Sequence, residues 1–103
     1  MTGERDAPRP AASPPRRLRA VVSGRVQGVG FRWHVREAAR RAGVTGWVRN
    51  RPDGTVEVEV AGGAHAVEAV LEAVRRGPPA ARVDHVVIEP ATDAEWPLTF
   101  SVR

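Results

Sequence analysis

Apolar positions recur along the chain with two different spacings, and these spacings predict an alternation of strands and helices. Several short segments are apolar at every second residue, which is the period of a strand. Two longer segments are apolar at intervals of three and four residues, which is the period of a helix. The predicted strands are residues 18–23, 44–50, 55–60, 82–89 and a short one within 98–102, and the predicted helices are residues 31–42 and 65–76.

The segment at residues 55–60 shows the strand period most regularly. Val56, Val58 and Val60 alternate with Glu57 and Glu59. This alternation is typical of a strand that buries one face and exposes the other. We therefore expect the three valines to face the core and the two glutamates to face solvent.

The order of these elements predicts the fold class. A βαββαβ order with one more short strand indicates an α+β protein, a ferredoxin-like sandwich in which two helices cover one face of a mostly antiparallel sheet. The chain has 103 residues, of which 42% are hydrophobic, enough for one small core. Residues 1–17 are rich in proline and arginine, so we expect a disordered tail there and a domain over residues 18–103.

Composition excludes several kinds of chemistry. The chain has no cysteine, which excludes disulfides, thiolate metal sites and cysteine nucleophiles. His34, His65 and His85 are scattered without metal-ligand spacing, so the sequence gives little support to a metal-dependent hydrolase. An apolar signal segment and a membrane-spanning run are both absent from the sequence, and the default expectation is a cytoplasmic protein that does not bind membranes.

Positive charge is concentrated in the first half of the predicted domain. The net charge is +4, and all 16 basic residues are arginine. Between Ala7 and Pro52 the only acidic residue is Glu37. The overall charge is too small to favour a general nucleic-acid binder, and the strand at residues 55–60 lacks the aromatic residues that stack bases.

A glycine-rich segment separates the first predicted strand from the first predicted helix. It reads Gly24-Arg25-Val26-Gln27-Gly28-Val29-Gly30-Phe31-Arg32. Such a segment can turn its backbone N–H groups toward a small anion at the start of a helix, with Arg32 as a charged fork. It lacks the third glycine of a dinucleotide motif and the lysine of a nucleotide-binding loop. Spacing alone leaves open a plain strand–helix connection with a solvated arginine.

Asn50 is the second candidate for chemistry because it ends the predicted strand at residues 44–50. Its amide both donates and accepts hydrogen bonds, which suits it to hold and orient a water molecule. Asparagine also commonly initiates a turn, and the segment after Asn50 carries the turn residues proline, aspartate and glycine. The residue alone does not decide between these roles.

Taken together, the segments resemble the acylphosphatase family. The resemblance rests on the glycine-rich segment, on Gly46-Trp47-Val48-Arg49-Asn50 and on Asp53-Gly54-Thr55-Val56-Glu57, which occur in the family's order and separation. It extends over residues 18–103. It implies the ferredoxin-like fold and hydrolysis of acyl phosphates, the carboxyl-phosphate anhydrides, to a carboxylate and inorganic phosphate without metal or cofactor.

The resemblance also assigns roles to residues. Arg32 would bind the phosphoryl group, and Asn50 would orient the attacking water. The phosphate-binding loop would be formed by the backbone of Arg25, Val26, Gln27, Gly28, Val29 and Gly30. The expected partners are a small acyl phosphate and inorganic phosphate, which would be product and inhibitor, and we expect a monomer. An alternative is a module that binds phosphate or carbamoyl phosphate without turnover, as in acylphosphatase-like domains of larger maturation proteins.

Overall fold

A five-stranded sheet carries two helices on one face in the computed structural model, which describes residues 15–91 and 95–103. The elements follow the predicted order. They are β1 (Pro15–Arg25), α1 (Phe31–Ala42), β2 (Thr45–Asn50), β3 (Val56–Gly63), α2 (Ala64–Arg76), β4 (Arg82–Pro90) and β5 (Phe100–Val102). Neither of these two helices is long and apolar enough to cross a membrane, a statement that covers the described residues only.

The strands lie in the order β4-β1-β3-β2-β5. The first four are paired antiparallel, and β5 runs parallel to β2 at the edge. This confirms the predicted α+β class with a mostly antiparallel sheet. The parallel edge strand places Val102 beside Val48 in the register, so the last residues of the chain lie near the end of β2.

The first strand begins earlier than predicted. Pro15, Arg16 and Arg17 pair with the end of β3, although the expected domain began at Leu18 and the expected tail extended to residue 17. These three residues belong to the sheet because β3 continues to Gly63 and offers them backbone partners. Residues 1–14, which make up the rest of the expected tail, lie outside the described residues.

The core fills the space between the sheet and the helices. Val22, Val48 and Val58 on the three central strands are fully buried, as are Val35 of α1 and Leu71 of α2. The valine half of the prediction for β3 is therefore confirmed. Helix α1 ends at Gly43 as expected, with the N–H of Val44 donating to the carbonyl of Ala39 at 2.9 Å.

The prediction that Glu57 and Glu59 face solvent is wrong. Both lie on the sheet face opposite the helices, yet they are only 2% and 1% exposed. Glu57 accepts hydrogen bonds from Arg19 of β1 and from Arg49 of β2, both at 2.8 Å, and Glu59 accepts one from Arg17 at 3.0 Å. Alternation correctly indicates that the glutamates lie on the face away from the valines. It does not indicate that arginines of both neighbouring strands cover that face.

Aromatic rings complete this second face. Trp47 is 6% exposed, and the guanidinium groups of Arg49 and Arg103 lie 5.2 and 4.7 Å from its ring centroid. Arg17 lies 5.7 Å from the ring of Trp96. Arginines that pair with carboxylates on one side and stack on indoles on the other give this face an ionic and aromatic layer instead of a second apolar core.

Candidate active site

The glycine-rich connection between β1 and α1 turns through two left-handed residues. Gly28 has φ of 74° and Gly30 has φ of 81°. A Cβ atom at either position would meet nothing within 4 Å, so the need for glycine comes from the backbone angle and not from crowding by the protein. The loop is therefore open on the side where a ligand would approach.

The first turn of α1 presents backbone donors at this loop. Its first backbone hydrogen bond is from the N–H of His34 to the carbonyl of Gly30 at 3.0 Å, and no side chain caps the helix. A helix leaves its first N–H groups without intrahelical acceptors and carries a partial positive charge at that end. The first turn contains no acidic residue that would neutralise this charge. The local structure consequently favours an anion.

A cavity of about 410 Å³ opens beside the loop. Five of the residues that the sequence singled out line it together: Val26, Gly28, Gly30, Arg32 and Asn50. The two side chains with candidate chemistry come from different elements, one from the first turn of α1 and the other from the end of β2. None of the described residues that line this cavity is acidic. The fold thus gathers a cation, an amide and an open glycine loop around one space.

The side chains of the other three predicted loop residues point elsewhere. Arg25 ends β1 opposite Arg82 and is exposed, whereas Val29 packs against the core. Gln27 donates its side-chain amide to the carbonyl oxygens of Arg51 at 2.8 Å and Thr55 at 2.9 Å. Arg25, Gln27 and Val29 are not among the described residues that line the cavity. A phosphate-binding role for their backbone N–H groups stays a prediction.

Arg32 is exposed and held at one end. Its Nη1 donates to the main-chain oxygen of Arg103 at 3.0 Å, a contact that the parallel pairing of β5 with β2 makes possible. A guanidinium has five N–H donors in a planar fork, so this single bond leaves others to meet a ligand in the cavity. Asn50 is half-buried, and its backbone pairs with Val56 in the β2–β3 ladder.

The sequence interpretation missed four residues of the cavity wall: Phe31, Trp33, Arg36 and Val102. Of these four, the sequence could have pointed to Arg36. It lies one helical turn after Arg32, so the two side chains share a face of α1. Val102 had no such signal, since its place depends on the parallel pairing of β5 with β2.

The histidines take no part in this site. His34 bridges the two helices, with its Nε2 2.9 Å from the carbonyl oxygen of Ala73. Over residues 15–91 and 95–103, no group of three or more histidine, aspartate or glutamate side chains is arranged to hold a metal ion.

The fold and cavity define a small α+β domain with an open glycine loop beside a cavity, at the junction of a strand and a helix. The sequence profile of the acylphosphatase family matches residues 18–101. An acylphosphatase of Anaeromyxobacter dehalogenans is 58% identical over 87 residues, covering 84% of this chain and 94% of that protein. An acylphosphatase of Chromohalobacter salexigens is 53% identical over 85 residues, covering 82% and 93%.

A solved structure gives the same result for the fold. The crystal structure of acylphosphatase from Bacillus subtilis superposes with a TM-score of 0.79 at 38% identity, covering 84% of this chain and 97% of that one. The chain belongs to the acylphosphatase family.

Proposed function

We propose that the chain hydrolyses acyl phosphates in the cavity beside the glycine loop. The observation that carries this proposal is that the cavity brings Arg32, Asn50 and the open loop together within a chain of the acylphosphatase family. The products are a carboxylate and inorganic phosphate. An acyl phosphate already has a good leaving group, so the enzyme has to supply position and charge stabilisation more than a strong base.

The loop and Arg32 bind the phosphoryl group. Backbone N–H groups from the loop and the first turn of α1 meet its oxygens, and the guanidinium of Arg32 neutralises their charge. In the transition state negative charge spreads over the equatorial phosphoryl oxygens, and these donors stabilise it. None of the described lining residues has an acidic side chain that would repel the phosphoryl group.

Asn50 orients the water that attacks phosphorus. Its amide oxygen accepts a hydrogen bond from the water and so directs an oxygen lone pair at the phosphorus atom. A bond forms between the water oxygen and phosphorus while the bond from phosphorus to the acyl oxygen breaks. The acyl oxygen leaves as a carboxylate. A phosphoryl oxygen of the substrate takes the proton from the water, since none of the described lining residues is a carboxylate or a histidine.

Benzoyl phosphate hydrolysis by the purified protein tests this function. We expect turnover that EDTA does not reduce and that inorganic phosphate inhibits competitively. Arg32→Ala should abolish turnover and phosphate binding, because the charged clamp is lost. Arg40→Ala is the matched control, since Arg40 is an exposed arginine of the same helix and does not line the cavity.

Asn50→Ala separates water positioning from phosphate binding. We expect kcat to fall about 10²-fold, typical of losing one positioned polar group, while the inhibition constant for phosphate changes by less than about threefold. Normal kcat in this variant would refute the role of Asn50. Phosphate binding by the wild type without turnover would instead support the binding-module alternative. The monomeric state and the cytoplasmic location stay predictions.

A further inference from the structure

We infer that Trp33 contacts the acyl group of the substrate and makes the enzyme favour aromatic acyl phosphates. This inference rests on the proposed function, because it assigns the part of the same cavity that the phosphoryl group does not occupy. Trp33 directly follows Arg32 in the first turn of α1, and both side chains line the cavity.

The exposure of Trp33 is the first observation. Its side chain is among the large hydrophobic ones left in solvent, at 62% exposure, and Val102 on the same cavity wall is 41% exposed. Leaving an indole in water forgoes the free energy gained when its surface is buried. Here the exposed apolar surface adjoins a cationic loop. A ligand with an anionic end and an apolar end would cover both.

The second observation is that Trp33 has a preferred orientation. The guanidinium of Arg36, one turn further along α1 from Arg32, lies 4.8 Å from the centroid of the indole ring. This cation–π contact covers part of the ring and restricts its rotation, while the high exposure shows that most of the surface stays available. A pre-positioned ring loses less entropy when a flat ligand group packs on it.

Charge and size favour an uncharged acyl group of moderate size. Arg36 pairs with Glu37 at 3.0 Å and lies against Trp33, so its guanidinium is engaged by two neighbours on its own helix. Apolar walls from Val26, Phe31 and Val102 accompany the indole. The cavity volume of about 410 Å³ lies in the usual range for small-molecule sites, so it has room beyond the phosphoryl group. An aromatic ring matches these walls better than a methyl group does.

The test compares two substrates, benzoyl phosphate and acetyl phosphate, on the variants Trp33→Ala and Trp33→Phe. We expect Trp33→Ala to lower kcat/KM for benzoyl phosphate about tenfold and that for acetyl phosphate less than about twofold. Trp33→Phe should keep benzoyl phosphate turnover within about threefold of the wild type, because it retains an aromatic face. The inhibition constant of inorganic phosphate should not change, since phosphate does not reach the acyl part of the cavity.

Trp96→Ala is the matched control. Trp96 is also exposed, at 46%, and also has an arginine against its ring, but it lies by Arg17 at the other end of β1 and does not line the cavity. It should leave the ratio of the two substrates unchanged. If Trp33→Ala lowered kcat/KM equally for both substrates, or did not lower it for benzoyl phosphate, the role of Trp33 would be wrong while the proposed function would stand. Failure of the wild type to hydrolyse either substrate would overturn the proposed function and this inference with it.

Discussion

Gln27 donates its side-chain amide to the carbonyl oxygen of Arg51 at 2.8 Å and so joins the glycine loop to the residue that follows Asn50. The same amide donates to the carbonyl of Thr55 at 2.9 Å, on the other side of the β2–β3 turn. One side chain therefore connects the loop that would bind phosphate to the turn that follows the amide that would hold water.

Gln27→Met should lower kcat more than it weakens phosphate binding. Methionine has nearly the same length but no donor, so the turn that follows Asn50 is no longer tied to the loop. Each lost hydrogen bond is worth about 1 kcal/mol, and we expect kcat to fall about five- to tenfold with less than about a twofold change in phosphate inhibition. If kcat and phosphate binding fell by the same factor, Gln27 would support only the phosphate-binding loop and not the position of Asn50. The comparison needs steady-state kinetics with and without phosphate.

Gly28→Ala and Gly43→Ala should separate backbone strain from site chemistry. Both glycines have left-handed φ angles, 74° and 73°, and a Cβ would meet no atom within 4 Å at either position. Each substitution should cost about 1 kcal/mol of unfolding free energy in urea titrations. Of the two glycines, Gly28 lines the cavity and Gly43 does not, so only Gly28→Ala should weaken phosphate binding, by about tenfold, as its methyl group occupies space that phosphate would take. Equal phosphate affinity in the two variants would contradict this prediction.

Glu57→Gln should destabilise the fold without changing catalysis. The buried carboxylate of Glu57 bridges Arg19 and Arg49 on the sheet face away from the cavity. Losing its charge weakens both charge-assisted hydrogen bonds, and we expect a loss of about 2 kcal/mol in unfolding free energy. The arginine side chains are 32% and 49% exposed, so water can solvate them and the loss stays below that of a fully buried pair.

The control for Glu57 is Glu72→Gln. Glu72 also pairs with an arginine, Arg75, at 2.9 Å, but its side chain is 61% exposed. Exposed pairs contribute little, so this variant should change the unfolding free energy by less than about 0.5 kcal/mol. Similar losses in the two variants would mean that burial of Glu57 has no energetic role.

Asp53→Asn should reduce stability in a pH-dependent way. Asp53 Oδ1 accepts hydrogen bonds from the hydroxyl of Thr55 at 2.6 Å and from its backbone N–H at 3.0 Å. The hydroxyl bond is the main cause that lowers the pKa of Asp53, followed by the N–H bond. A lowered folded-state pKa contributes stability that is complete above the unfolded pKa, about 4, and is lost as pH falls through the folded value.

The difference in unfolding free energy between wild type and Asp53→Asn should therefore be larger at pH 7 than at pH 3. Urea unfolding at the two pH values measures it. A difference of the same size at both pH values would show that the charge of Asp53 does not contribute.

The order and type of the elements followed from the sequence because each helix and strand has a regular apolar period. The α1 stripe through Val35 and the valines of β3 are examples in which local pattern and tertiary burial agree. The start of β1 and the burial of Glu57 did not follow, because both depend on a partner strand. Pro15 is in the sheet since Gly63 lies opposite it, and Glu57 is buried because arginines on two other strands reach it.

In the site, too, what the local sequence determines was predicted and what depends on strand pairing was not. Arg32 and the glycine loop are neighbours in sequence, so their proximity was expected, and Asn50 lines the same cavity from the end of β2. Trp33 and Val102 were missed. The sequence does not indicate that an exposed tryptophan on a helix adjoins a cavity. The position of Val102 depends on the pairing of β5 with β2, which the sequence does not specify.

The sheet order also bears on how the protein folds. The loop follows β1 directly, but the end of β2 reaches it only through β3, which must pair with both β1 and β2. Such pairings join residues far apart in sequence, and chains that depend on them fold more slowly than helical bundles do. Helix α1 can form early from local interactions, yet no cavity exists until the three central strands have assembled. Recovery of hydrolysis during refolding will therefore report the completion of the sheet, whereas the circular dichroism of the helices reports an earlier event.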